Sequence, residues 1–156
     1  MPANTSFVSS RIGSNVLFGF IAGFLATLTF HQFGVAVLHA EHLTPFAPYA
    51  MNPVPPFGVP EVISLAFWGG VWGIALASVA PPAWRHGGGY WLGAIVFGAI
   101  LPTAVAWFVV MPLKGLPAAG GFHYPGLLVG PIVNALWGFG TALFLRFMPR
   151  AAVPAS

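Results

Sequence analysis

The chain has 156 residues, of which 58% are hydrophobic and only 4% are charged. Because soluble domains carry about 25% charged residues, five basic and two acidic side chains cannot keep a globule of this size dispersed in water. The few basic residues are scattered, which excludes a nucleic-acid-binding patch, and the absence of cysteine excludes disulfides, thiolate metal sites and thiol catalysis. The length indicates one domain, residues 1–156.

Four apolar segments predict transmembrane helices. They cover about residues 16–38, 62–80, 90–111 and 127–147, and each is long enough to cross about 30 Å of hydrocarbon. The segments are continuous and glycine-rich rather than alternating, which favours helices over barrel strands. The first is longer than the apolar core of a signal peptide, so we expect it to be retained. The predicted fold is an all-α integral membrane four-helix bundle.

The basic residues predict the orientation of this bundle. Arg11, Arg85, Arg146 and Arg150 flank the ends that carry the two termini and the middle loop, whereas Lys114 alone lies in an opposite loop. Lys and Arg are enriched in the cytoplasmic loops of membrane proteins. Both termini are therefore expected in the cytoplasm, with the first and third loops on the other side of the membrane.

The first loop, residues 40–61, is rich in proline, with Phe46, Tyr49, Met51 and Phe57 between the prolines. Proline density favours extended, polyproline-like backbone with few free N–H groups. Apolar side chains on such a loop predict a cap that lies on the helix ends rather than a flexible linker.

Small residues spaced four apart predict how the helices associate. Lipid removes the hydrophobic drive for helix pairing, so close backbone approach at small residues has to replace it. The stripe in the first segment continues through Thr27 to His31, which predicts that His31 points into the bundle. The spacing occurs in every segment, at Gly19/Gly23, Gly69/Gly73, Ala94/Gly98, Gly126/Gly130 and Gly138/Ala142.

A polar layer is predicted within the bundle. His31, with Gln32 beside it, Thr103 and Asn134 lie at similar depths, about 10 Å from the outer helix ends at the rise of an α-helix. An ionisable group inside a span suggests function, here a proton relay, a metal ligand or a haem ligand. The favoured alternative is a neutral His31 that hydrogen bonds to Asn134 or Thr103. The other three segments contain no second histidine for a bis-histidine haem, so no cofactor is expected.

A second group of titratable residues is predicted at the outer surface. His39, Glu41, His42 and Glu61 lie near the first loop, and His123 lies in the third. Imidazole and carboxylate ligands suit zinc, copper, nickel or iron, and His39 and His42 share a helix face if the first helix reaches them. The spacing is short and non-specific, and the alternative is that these are ordinary solvated side chains at the interface.

The sequence contains a faint internal repeat. Pro60 and Trp72-Gly73 recur 65 residues later as Pro125 and Trp137-Gly138. Two helical hairpins related by an axis along the membrane normal would produce such a match. Helices rich in glycine and tryptophan also resemble one another by composition, so both explanations stay open.

The stretch Pro53–Pro60, together with Phe67–Gly73, resembles a family of small four-span proteins from proteobacteria. Phe30-His31-Gln32 and Asn134–Gly138 are similar as well, and the resemblance covers most of residues 16–147. It implies a multi-pass protein of the bacterial inner membrane, with the proline-rich cap in the periplasm, and it implies no established activity. Small multidrug exporters share only the number of spans, because the membrane-embedded glutamate on which they rely is missing here.

Three hypotheses for function follow. The first is a non-enzymatic structural or accessory protein that packs in the lipid bilayer with itself, as a homodimer, or with a larger membrane complex; no catalytic motif is present. The second is a small dimeric transporter or channel with a polar path at His31 and Asn134. The third is a metal-binding protein that uses His39, Glu41, His42 and His123.

Overall fold

The computed structural model describes residues 5–80 and 87–148 and is mostly helical. It confirms the prediction of four helices long and apolar enough to cross a membrane, as a multi-pass membrane protein requires. Arg85 and Arg150, on which the predicted orientation partly rests, lie outside the described residues, as does the side chain of Arg11. We name the helices span 1 (Gly13–Ala40), span 2 (Glu61–Val79), span 3 (Gly88–Leu113) and span 4 (Gly126–Phe147).

The first helix is longer than predicted and contains a π segment. It begins at Thr5 and runs as an α-helix to Ala26, as a π-helix over Thr27–His31 and as an α-helix again over Gln32–Ala40. Residues 5–15 contain no proline to break the helix, so the helix extends beyond the apolar segment that hydropathy can detect. A π segment inserts a residue and rotates everything that follows it, and such insertions often mark functional positions.

Span 3 also combines α and π geometry. It runs as an α-helix over Gly88–Val105, as a π-helix over Ala106–Val110 and as a short α-helix over Met111–Leu113. Pro102, buried inside this helix, has no N–H to donate, and the π segment follows within one turn. Both odd-numbered spans therefore depart from regular α-helix in the half nearer the first loop.

The first loop is a structured cap, which we define as residues 41–60. Pro53–Val54 (β1) pairs antiparallel with Val59–Pro60 (β2), a small hairpin that the polyproline-like prediction missed. Residues with no backbone N–H are tolerated at the ends and edges of such strands. The third loop contains a 3-10 segment at Ala118–Phe122. We call the end of the bundle that carries these two loops the cap end.

Spans 1 and 2 touch through their backbones. A Cβ atom on Gly23 would collide with the carbonyl oxygen of Gly69 and lie 2.9 Å from the Cα of Gly73. A Cβ on Gly73 would collide in turn with the carbonyl oxygen of Gly19. Any side chain here would push the two helices apart, so all four glycines are needed for this antiparallel crossing.

Spans 3 and 4 cross in the same way. A Cβ atom on Gly98 would collide with the carbonyl oxygen of Asn134 and lie 3.0 Å from the Cα of Gly138, and a Cβ on Gly138 would collide with the carbonyl oxygen of Ala94. Asn134 and Gly138 follow Gly69 and Gly73 by the 65 residues of the sequence repeat. The two hairpins are thus built on equivalent crossings, which supports duplication over chance similarity.

The two hairpins meet along one closely packed seam, between spans 1 and 4. Trp137, which is 2% exposed, donates its Nε1–H to the carbonyl oxygen of Gly23 at 3.0 Å. Close approach is possible because Gly34 faces the side chain of Leu136 and Gly140 faces the ring of Phe30. We call this contact the closed seam.

The equivalent contact between spans 2 and 3 is much smaller. It consists mainly of a cluster of Leu76, Tyr90 and Ala94 at the end opposite the cap and of the edge of Trp72 against Phe97, with ring centroids 6.1 Å apart. Few backbone atoms of these two spans approach each other elsewhere in the described structure. We call this contact the open seam.

The backbone crossing predicts an asymmetry between two identical substitutions. Gly23→Ala places a methyl group against a carbonyl oxygen and should lower the free energy of unfolding by about 1–3 kcal/mol, the usual cost of overpacking. Gly93→Ala is the matched control, because a Cβ at Gly93 meets nothing within 4 Å and alanine is the better helix former. Unfolding in mixed micelles of increasing denaturing-detergent content measures both; equal stabilities would contradict the crossing.

Candidate functional site

His31 lies at the end of the π segment of span 1 and is 8% exposed. The segment packs against spans 2 and 4, so the imidazole is inside the bundle, as the stripe of small residues predicted. Its Nδ1 atom is buried and has no hydrogen-bond partner among residues 5–80 and 87–148. Buried polar atoms in proteins are nearly always paired, which makes His31 the most unusual side chain of the described structure.

The predicted polar layer is only half formed. Asn134 donates its Nδ2–H to Oγ1 of Thr103 at 2.9 Å, joining spans 3 and 4 beside their glycine crossing. His31 takes no part in this pair, so the expected hydrogen bond from His31 to Asn134 or Thr103 is wrong. The reason is direction rather than depth: the Asn134 face of span 4 meets span 3, whereas the Trp137 face meets span 1.

Gln32 holds the cap instead of joining the layer. Its Oε1 accepts the backbone N–H of Tyr49 at 2.7 Å, and the Tyr49 hydroxyl donates to the carbonyl oxygen of Leu28 at 2.8 Å. Tyr49 adopts a positive φ of 54°, a left-handed conformation that is uncommon for residues other than glycine. Tyr49 therefore anchors the cap to the π segment of span 1, on the residues next to His31.

The cap is also joined to span 2. The N–H groups at the start of that helix, on Glu61 and Val62, donate to the carbonyl oxygens of Asn52 and Ala50 at 2.9 and 3.0 Å. These bonds satisfy donors that a helix start would otherwise leave free. The sequence predicted a cap on the helix ends but not the role of Tyr49; its place as the tyrosine of an otherwise apolar, proline-rich loop was the available signal.

The predicted metal ligands are not brought together. The described residues contain no group of three or more His, Cys, Asp or Glu side chains that could hold a metal ion. The α-helix of span 1 ends at Ala40, and His42 adopts a φ of 57°, so His39 and His42 do not share a helix face. His39 Nδ1 lies 3.3 Å from the carbonyl oxygen of Thr44, while Glu41 and His123 are exposed.

The small residues predicted to mediate packing differ in what they contact. Most of them form the two backbone crossings described above. Gly130 instead faces side chains of span 3, since a Cβ there would lie 3.0 Å from Cγ2 of Thr103 and 3.3 Å from Nε1 of Trp107. It leaves room for the hydroxyl and the indole next to the Asn134 pair. A Cβ on Gly126 would meet nothing within 4 Å, so packing through that glycine is wrong.

Comparison with known proteins supplies no relative. The scan against protein-family models found no match, and neither did the searches of the curated proteins and of the solved structures. The interpretation of function therefore depends on the geometry of the bundle and on the chemistry of its side chains.

A double-mutant cycle tests the Thr103–Asn134 bond. Thr103→Val and Asn134→Leu should show a coupling free energy of about 0.6 kcal/mol, typical of interhelical hydrogen bonds in membranes. His31→Leu combined with Asn134→Leu should be additive within about 0.5 kcal/mol. Unfolding in mixed micelles measures both pairs, and coupling between His31 and Asn134 would restore the polar layer that the structure divides.

The role of Tyr49 predicts a local effect on the cap. Tyr49→Phe removes only the hydroxyl bond to Leu28, and Gln32→Met removes only the acceptor of the Tyr49 N–H. Each should increase amide hydrogen exchange in the cap several-fold while exchange in spans 3 and 4 stays unchanged. Tyr124→Phe is the control, since that tyrosine is 78% exposed; a cap response equal to that of Tyr49→Phe would contradict the anchor.

Proposed function

We propose that this chain is a non-enzymatic, multi-pass protein of the bacterial inner membrane that acts as a structural or accessory subunit. It packs with itself or with a larger membrane complex. In this proposal both termini are cytoplasmic, as the basic residues predict, and the cap is periplasmic, as the family resemblance implies.

The observation that carries the proposal is how the bundle interior is used. The hairpins are closed by backbone contacts at Gly23 and Gly98, which leave no space for a lumen at either crossing. The buried hydroxyls of Thr27 and Thr141 donate to carbonyl oxygens of their own helices. Interior groups therefore hold helices together, and the apolar outer surface is the part of the molecule that remains available for partners.

A rigid cap is consistent with an accessory role. Tyr49 and Gln32 fix it on span 1, and two backbone bonds fix it on span 2. It nevertheless exposes large apolar side chains, with Phe57 87% exposed at the hairpin turn. Rigid surfaces with exposed aromatic groups are typical of sites that contact other proteins or the membrane interface.

The transporter hypothesis has less support. It requires His31 and Asn134 along one path, whereas Asn134 pairs with Thr103 on the span 3 side of span 4 and the space between the spans is filled by Trp137. The unpaired His31 is the one feature that still suggests such a role.

The proposal is tested by mass and by flux. Protein extracted in mild detergent should run as a species heavier than the 16.4 kDa chain by native mass spectrometry, and His31→Leu should leave that assembly intact. The same variant is then compared with wild type in proteoliposomes for proton or cation flux. A monomer without partners, or a flux in wild type that His31→Leu abolishes while the fold survives, would contradict the accessory role.

A further inference from the structure

The repeat gives every residue of span 4 a counterpart in span 2. The face of span 4 that binds span 1 carries Val133 and Trp137, which are 4% and 2% exposed. Their counterparts 65 residues earlier are Trp68 and Trp72 in span 2. Trp68 is 58% exposed, so the face that is covered by a helix in the second hairpin is open in the first.

Two larger side chains explain why span 3 does not cover this face. In the closed seam a Cβ atom on Gly140 would collide with the ring of Phe30, and the counterpart of Gly140 in span 2 is Ala75, which carries that additional carbon. The counterpart of the buried Val133 is Trp68, whose indole is far larger than a valine side chain. A helix cannot approach this face as closely as span 1 approaches span 4, so spans 2 and 3 stay apart toward the cap end.

The exposed face has the spacing of a helix-pairing surface. Its residues follow one another at alternating steps of three and four, the repeat with which two helices supercoil around each other. No charged residue interrupts it. We define this span 2 stripe as Leu65, Trp68, Trp72, Ala75 and Val79.

Trp68 also lacks an acceptor for its indole N–H. Its ring meets the edge of Phe67, and no hydrogen bond forms to it from the described chain. It lies about 10 Å inside the span, counted from Glu61 at 1.5 Å per residue, where hydrocarbon offers no acceptor. In the closed seam the equivalent need of Trp137 is met by a backbone carbonyl of the neighbouring helix, so a neighbouring helix is the partner that this face fits.

We propose that the span 2 stripe is a dimer interface on which span 2 of a second copy packs about a two-fold axis. A second copy is favoured because the counterpart face already binds a helix of the chain's own repeat, and because an uncharged stripe of this spacing is complementary to itself. Closed two-fold dimers are also the commonest oligomers. The inference rests on the proposed self-packing function and names its surface.

Cysteine cross-linking tests the interface, because the chain contains no cysteine of its own. In full-length protein in native membranes, Leu65→Cys reports on the stripe while Trp68 is retained, and Trp68→Cys reports at its centre. Phe33→Cys is the matched control: Phe33 is 63% exposed and lies as far from the cap end of span 1 as Trp68 lies from that of span 2. Oxidation should produce disulfide-linked dimers several-fold more efficiently at Leu65 or Trp68 than at Phe33.

A third variant separates a specific interface from lipid contact. Trp68→Phe keeps an aromatic ring but removes the donor, and it should lower the dimer fraction several-fold at fixed protein-to-lipid ratio. Equal cross-linking at all three cysteines, or none at any, means that lipid covers the stripe and overturns the proposal. If native mass spectrometry still shows an assembly in that case, the accessory function stands and only this surface is wrong; a lone monomer contradicts both.

Discussion

Backbone contact between helices is the interaction on which the rest of this structure depends. In lipid, apolar side chains gain little by leaving one apolar environment for another, so dispersion between closely packed atoms has to hold helices together. At Gly23 and Gly98 the neighbouring carbonyl oxygen occupies the space that a side chain would take. These two crossings set the tilt and separation of each hairpin, and the placement of every other buried group follows from them.

The same crossing supports two different seams. Spans 1 and 4 close because Gly34 and Gly140 admit a leucine and a phenylalanine side chain, and Trp137 then completes the contact with a hydrogen bond to a backbone carbonyl. Span 2 has Ala75 in the place of Gly140 and the bulky Trp68 in the place of a valine, and it remains apart from span 3 at the cap end. A duplicated architecture has thus become asymmetric through a few side chains, which leaves one face of the bundle free.

Polar side chains in this bundle mostly act as connectors. Asn134 joins span 4 to Thr103, Gln32 joins span 1 to the cap, and the buried threonines return their hydroxyls to their own helix backbone. These arrangements satisfy donors and acceptors that lipid cannot satisfy. His31 is the exception, since its Nδ1 stays unpaired within the described chain, at the end of a π segment and next to the anchor of the cap.

The sequence by itself determined the four spans, most of their packing glycines and the depth of His31, Thr103 and Asn134. Hydropathy is a sum over neighbouring residues, and depth is a count along a helix, so both can be read from the order of residues. The first helix was predicted too short because its polar beginning carries no apolar signal. The β1–β2 hairpin and the Tyr49 anchor were missed because they depend on contacts that no local pattern in the sequence records.

Only the tertiary structure decided which side chains face each other. Direction around a helix changes by about 100° per residue, and the π segment over Thr27–His31 adds a further rotation that no periodicity in the sequence reveals. For this reason Asn134 and His31 share a depth without sharing a contact. The helix end at Ala40 likewise separated His39 from His42, because a shared face exists only while the helix continues.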